Sequence, residues 1–335
     1  MNRGANLDRD RSTLLSARGL CLAICLGILP LISSCFNEPS APLRIASSPW
    51  PGYEPLYLAR DLGYFGNGKV NLLELPSSDI TLESFRNRSA DMATLTLDEA
   101  LELLSNGVKL RILFVMDSSN GADAVMAAPQ VKTPADLKGK RIAIINIPLG
   151  VYMLSRLLDA AKLTRDDVNV VPVNESRHAS LYKQNSADAF ITFEPFKSEL
   201  AALGARPIFD SSQIPNEIFD LMLVHEEVFQ ARREEVCGVA RQWFRVLEYL
   251  RQSPDEADAG MAKRLGVSVQ GYRNMAKGIV IPAQAENLRL LAGAAPAIIP
   301  PSENLSQVML NAGQMKRGAD IRQALPPDIG ACIAK

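Results

Sequence analysis

The chain has 335 residues, of which 47% are hydrophobic and 22% charged, and a formal net charge of −1. That length exceeds one ordinary domain and suits two lobes, and the composition is that of a globular protein. Lys and Arg are scattered and form no basic patch interleaved with aromatic residues, so the chain lacks the electrostatic footprint of a nucleic-acid binder.

Arg3, Arg9, Arg11 and Arg18 precede an apolar run from Gly19 to Ile32. The run is shorter than the ~20 residues of a spanning helix, and Pro30 interrupts it. Its basic flank and small-residue ending read as an export signal over residues 1–34. The ending Leu31-Ile32-Ser33-Ser34-Cys35 resembles a bacterial lipobox, in which the Cys thiol is acylated and becomes the new first residue. Ser34 stands where Ala or Gly is commoner, and an ordinary cleaved signal with an incidental Cys is the alternative. Cys35 is thus the expected lipidation site, residues 35–42 the lipidated Cys and tether, and the mature protein a periplasmic or cell-surface lipoprotein held by its membrane anchor. Phe36 in place of an Asp leaves outer-membrane sorting open.

Cys21 and Cys25 leave with the signal, so Cys237 and Cys332 remain in an oxidising compartment. They either pair or stay as buried thiols, and sequence alone does not decide. No metal-ligand spacing occurs, and the two His, His178 and His225, stand apart; no metal or cofactor is expected. His178, at a helix start, reads as a surface residue.

From residue 43 strands and helices alternate. Strands are expected at Leu43–Ser48, Val70–Leu75, Met92–Leu97 and Leu110–Asp117, with helices from Glu54 to Leu62 and from Asp98 to Ser105, the latter stopped by Asn106-Gly107. Ala124–Ala128 reads as extended, and Thr133-Pro-Ala-Asp136 as a capped helical start. A second block follows: strand Arg141–Asn146, helix Val151–Lys162, strand Val168–Val173, helix Ala179–Gln184 and strand Ala189–Phe193. Beyond Glu226 the pattern is helical, with a long helix over Glu234–Arg251 and a capping box Ser253-Pro-Asp-Glu256 opening the next. The two blocks echo one another. Ser89-Ala-Asp91 leads into a strand and then Asp98 and Glu99; Ser186-Ala-Asp188, 97 residues on, leads into a strand and then Glu194. Each half thus presents acids beyond a strand's carboxyl end, where open α/β sheets bind ligands.

The stretch Ser48-Pro-Trp-Pro-Gly-Tyr-Glu-Pro-Leu-Tyr-Leu-Ala59, followed in order by Asp91–Glu99, Asp117–Asp123, Asp136-Leu-Lys-Gly-Lys140, Phe193-Glu-Pro195 and Asp210–Pro215, resembles the nitrate/sulfonate/taurine-type (SsuA-like) solute-binding proteins of ABC importers. The resemblance implies an α/β bilobed periplasmic-binding-protein fold of type II, with two lobes joined by crossover strands near Gly121–Ala128 and Phe219–His225. Lobe 1 would hold residues 43–122 plus 226–335 and lobe 2 residues 123–225. It implies a monomer that captures a small-molecule ligand between the lobes and presents its closed form to an ABC permease, with no catalytic residues. A sensor docking on a membrane kinase or cyclase, and an enzyme on the same fold, are the alternatives.

Where the family places ligand-facing groups stand Trp50 and Tyr53, whose rings stack on a planar ligand or enclose a cation, or else pack the base of the turn. Ser78, Ser118, Asn120 and Gly150 complete the polar and turn positions; Ser118 and Asn120 are equally suited to an ordinary turn. The acids Asp98, Glu99, Asp123, Glu194 and Glu217, with Asp220, are the main departure from an anion site, which wants Arg or Lys and free helix N-termini. The apolar loop Asn146-Ile-Pro-Leu-Gly150 departs in the same direction. An amine-bearing or planar cationic ligand suits these residues, although Thr96-Leu-Asp-Glu99 is also a capping box in its own right.

Overall fold

The first strand among the described residues, β1 (Leu43–Ser47), begins a sheet in which β2 (Val70–Glu74) and β3 (Met92–Thr96) flank it in parallel. A computed structural model describes residues 41–333; the expected export signal and the expected lipidation site Cys35 lie outside the described residues. Parallel strands need crossovers, and α1 (Glu54–Asp61) and α2 (Ser78–Arg86) supply them. After α3 (Leu97–Ser105), stopped at Gly107 with φ 84°, the chain runs through β4 (Leu110–Ser119) and leaves this sheet.

A second sheet is built on the same plan. β5 (Asp123–Ala127) enters it, followed by β6 (Arg141–Ile145), α4 (Pro148–Ala161), β7 (Asn169–Val173), α5 (His178–Lys183), β8 (Ala189–Phe193), α6 (Phe196–Ala202) and β9 (Arg206–Asp210). β6 is parallel to β7 and β8, whereas β5 is antiparallel to β8 and β9. The chain then returns as β10 (Phe219–His225), antiparallel between β3 and β4, and a short edge strand β11 (Ile279–Val280) completes the first sheet. The return therefore falls earlier than the boundary expected at residue 225: all of β10 belongs to the first sheet, because its ladder runs from Phe219 opposite Ser118 to His225 opposite Leu110.

The echo between the two blocks is a structural repeat. Arg44 donates from its backbone N–H and Nε to Asp91 Oδ2 at 2.9 and 3.1 Å and from Nη2 to Oδ1 at 2.7 Å. Arg141 makes the same set with Asp188, at 2.8, 3.2 and 3.2 Å. Each clamp ties the start of a central strand to the residue before its parallel neighbour.

The C-terminal region is helical and packs on the first sheet. α7 (Glu226–Ala231), α8 (Arg233–Gln252), α9 (Pro254–Leu265), α10 (Val269–Ala276), α11 (Gln284–Leu291), α12 (Ile299–Asn311) and α13 (Ile329–Ile333) follow in order. Trp243 of α8 stacks on Phe114 of β4, centroids 5.2 Å apart, and both are fully buried. Asn287 of α11 accepts from Val115 N at 2.7 Å and donates to Val115 O at 3.0 Å, satisfying a stretch of β4 that β11 is too short to pair. Cys237 of α8 and Cys332 of α13 form a disulfide, Cα atoms 4.9 Å apart. Ser253 does not cap α9 through its side chain, so the expected capping box is absent; Pro254 at the first helical position sets that start instead.

Candidate functional site

The carboxyl ends of β1 and β3 face those of β6 and β8 across a cavity between the two halves. It spans about 420 Å³ of atom-free space, the open mouth included. A wider groove of about 1060 Å³ runs along α4 beside Val151, Leu154 and Leu158, away from the strand ends of the first sheet. Position at facing strand ends, with converging acids and aromatics, makes the narrower cavity the candidate site.

The first half supplies most of the wall. Ser48, Pro49, Trp50 and Tyr53 come from the turn after β1, Thr94, Leu95 and Thr96 from the end of β3, and Glu99 from the first turn of α3. Ser78 opens α2, and Ile218 and Asp220 stand at the start of β10. The second half adds Asp123, Ile147, Leu149 and Phe193. Trp50 meets Phe193 edge-on across the gap, centroids 6.0 Å apart. Among the described residues no Lys, Arg or His lines this cavity.

The aromatic groups are fixed by the acids behind them. Trp50 Nε1 donates to Asp117 Oδ2 at 3.0 Å, and the Tyr53 hydroxyl donates to Asp220 Oδ1. Asp117 and Asp220 are directly opposite each other on β4 and β10. Gly52 makes this possible: a Cβ there would overlap the Asp117 carboxylate and the Trp50 ring nitrogen. Half of the capping box at α3 forms, Thr96 N donating to Glu99 Oε2 at 2.9 Å, while Thr96 Oγ1, Glu99 Oε1, Asp98 Oδ2 and Asp117 Oδ1 are buried without a protein partner among the described residues.

Burial of so many carboxyls without counter-charges raises their pKa values. Asp98 and Asp117 are pushed up to about 7 and Asp123 to about 8, in each case chiefly by loss of hydration. Glu99 rises well above the usual range through burial and then the neighbouring Asp98; Asp220 rises through burial and then Asp117. Tyr53 is likewise held in its neutral form by burial and by Asp220. The nearby ammonium of Lys197 is engaged, donating to Gly121 O at 2.7 Å and lying 3.7 Å from Glu194 Oε1.

Five of the residues expected at the ligand line the cavity: Trp50, Tyr53, Ser78, Glu99 and Asp123. Six lie outside its wall, each for a local reason. Asp98 is buried behind Glu99. Ser118 pairs within the sheet opposite Phe219 and Val280, and Asn120 is exposed, its backbone N–H bonded to Gly278 O at 2.8 Å. Gly150 is a packing residue, since a Cβ would overlap the Ile145 carbonyl oxygen. Glu194 accepts from Ser198 N at 3.1 Å. Glu217 is held by Arg156 Nε at 2.8 Å and by the Tyr152 hydroxyl. His178 is fully buried, Nδ1 3.0 Å from Thr192 Oγ1, not on the surface; burial lowers its pKa to about 4. Ile218 lies in no sequence motif, and although Thr94, Leu95 and Thr96 fall within the Asp91–Glu99 stretch, it is the sheet order that puts them on the cavity wall.

Two α/β sheets joined by crossover segments, with a cavity between the facing strand ends, define a bilobed α/β protein of the periplasmic-binding-protein fold. The chain belongs to the NMT1/THI5-like family, whose model matches residues 50–257. It is similar to the periplasmic aliphatic sulphonate-binding protein SsuA of Escherichia coli, at 19% identity and a TM-score of 0.69 over 86% of this chain and 92% of that one. It also resembles the alkanesulfonate-binding protein SsuA of Xanthomonas axonopodis pv. citri bound to MOPS, at 17% identity and a TM-score of 0.72 over 87% and 99% of the two chains. The desulfurization enzyme DSZB shares the fold at 18% identity and a TM-score of 0.63, over 87% and 99%. No curated protein sequence matches the chain significantly. The expected relationship to SsuA-like binding proteins is borne out, and among the described residues no helix is long and apolar enough to cross a membrane.

Proposed function

We propose that the protein is a receptor that captures a small cation, amine-bearing or planar, between its lobes and delivers it to an ABC importer, anchored to the membrane through Cys35. One observation carries the choice of charge: three carboxyls, Glu99, Asp123 and Asp220, line the cavity and, among the described residues, no basic side chain does. A buried carboxyl needs a proton or a partner cation, and a cationic solute supplies the second. The helix starts point the same way. Helix N-termini hold anions, but here Glu99 occupies that of α3, Glu175 that of α2, and α4 opens with Pro148, which has no N–H. A sulfonate, the ligand class named for the SsuA proteins, would therefore meet no basic side chain among the described lining residues and helix starts already taken by acids or by proline. Trp50, Tyr53 and Phe193 supply faces against which a cation or a flat ring packs.

A thermal-shift screen of the purified protein against primary amines, guanidines, pyrimidines, alkanesulfonates and nitrate tests this. A ligand at 100 times its Kd adds about 2.7 kcal/mol of stability. Amines or guanidines are expected to raise Tm, and Asp123→Asn and Trp50→Ala to weaken that rise; sulfonate hits with no cationic hit overturn the ligand class. Turnover of a hit compound would favour an enzyme of the DSZB kind over a receptor, and Cys35→Ser is expected to release the protein from the membrane fraction.

A further inference from the structure

The start of α2 takes its cap from the opposite half. Ser77, the residue before the helix, is extended at φ −159° and ψ 160°, and its side chain makes no bond to the helix amides. Instead Ser78 donates from its backbone N–H and from Oγ to one oxygen, Glu175 Oε1 of the opposite half, at 3.0 and 2.9 Å. Next to it Asn174 Nδ2 donates to Asp79 Oδ1 at 3.1 Å. Ser78 and Glu175 are 97 residues apart, the sequence period of the internal repeat, and follow β2 and β7 respectively.

Glu175 is 1% exposed, its Oε2 has no protein partner, and among the described residues no Lys or Arg forms an ion pair with it. Among the described residues of its own half, none hydrogen-bonds this carboxylate to offset the loss of water. Only the amide, hydroxyl and positive end of α2 do so, and they reach it only when the halves meet. Ser78 also lines the candidate ligand cavity, whereas Glu175 does not.

We infer that Glu175 is a positioning residue for closure: it is the tongue of a latch that engages the N-terminus of α2 and couples the lobes at the rim of the site. The inference rests on the receptor reading, in which an open form exists. Closing without Ser78's donors buries an unpaired carboxylate, so the two residues must act as a unit.

The test is a double-mutant cycle on the unliganded, full-length protein, read by the radius of gyration in small-angle scattering and by the emission of Trp50, which faces Phe193 only when the lobes meet. Ser78→Pro removes both donors at a first helical position that tolerates proline, after a residue already extended. It is expected to shift the closed–open ratio toward open about tenfold or more, with a larger radius and red-shifted emission. Ser78→Ala, which keeps the amide, shifts it less. In the Glu175→Gln background the Ser78→Pro effect shrinks, because the charge it strands is gone. A Ser78→Pro effect equal in both backgrounds overturns the latch, as does wild-type scattering that already matches separated lobes and does not respond to Ser78→Pro. The cycle uses no solute, so failure of the ligand screen and failure of the latch are separate results.

Discussion

Gly52 sits where a side chain would collide with both groups that fix the front of the cavity, Asp117 and the Trp50 ring. Its replacement by Ala forces Trp50 out of its bond to Asp117 or shifts β4, and overpacking of this kind costs about 1–3 kcal/mol. Urea unfolding is expected to show that loss, with altered Trp50 fluorescence; a Gly52→Ala protein as stable as wild type with unchanged emission would refute the tight fit. Residues of this part of the site were readable from the sequence because the local motif holds them: the Pro-Trp-Pro-Gly-Tyr turn follows a strand, and Thr96 to Glu99 is a capping box. Thr94, Ile218 and the bracing role of Asp117 were not, since they meet the cavity only through β10 inserting between β3 and β4. Glu217 was misplaced for the complementary reason: no local signal announces Arg156, 61 residues away, as its partner.

At the scale of elements, α1 is locked to the C-terminal region by a buried ion pair. Arg264 of α9 donates from Nε to Glu54 Oε2 at 2.6 Å and from Nη1 to Glu74 Oε1 at 2.6 Å, with its guanidinium carbon 3.6 Å from the centroid of Tyr57. Glu54 is fully buried. Removing the arginine strands that carboxylate, which costs about 3–5 kcal/mol. Arg264→Met is therefore expected to lower the urea midpoint sharply, and Arg264→Met with Glu54→Leu to recover much of it; equal losses in the single and double variants would show that packing, not charge, holds α1. Strand Ala189–Phe193 was legible to the residue and most others to within one or two, since fully buried strands are short apolar runs between turn signals. α2 was not, because Ile80 and Thr81 are β-branched in its first turn and its cap comes from another half of the molecule.

At the scale of the whole molecule, the raised carboxyls set how stability varies with pH. In the unfolded chain they lose protons near pH 4, whereas in the folded protein Asp98 and Asp117 keep theirs to about 7 and Asp123 to about 8. Between those values the native state binds more protons than the unfolded one, so stability falls as pH rises, by about 1.4 kcal/mol per pH unit for each group still protonated. The buried histidines work in the opposite sense: His178, lowered to about 4, and His225, also lowered by burial, cost stability only below the ordinary imidazole range. Carboxylates lowered by arginine partners, such as Asp91 and Asp188, act at still lower pH. The window from about pH 6.5 to 8 therefore isolates the site. In it the Tm of the unliganded protein is expected to fall with rising pH at constant ionic strength, and Asp123→Asn, which has no proton to lose, to show a shallower fall and to exceed wild type at pH 8. A wild-type Tm that is flat or rising across this window would mean that these carboxyls are already ionised and hydrated, and the electrostatic case for a cationic solute would go with them. A solute that supplies the missing positive charge replaces the protons, so its own binding strengthens over the same interval in which the empty protein weakens.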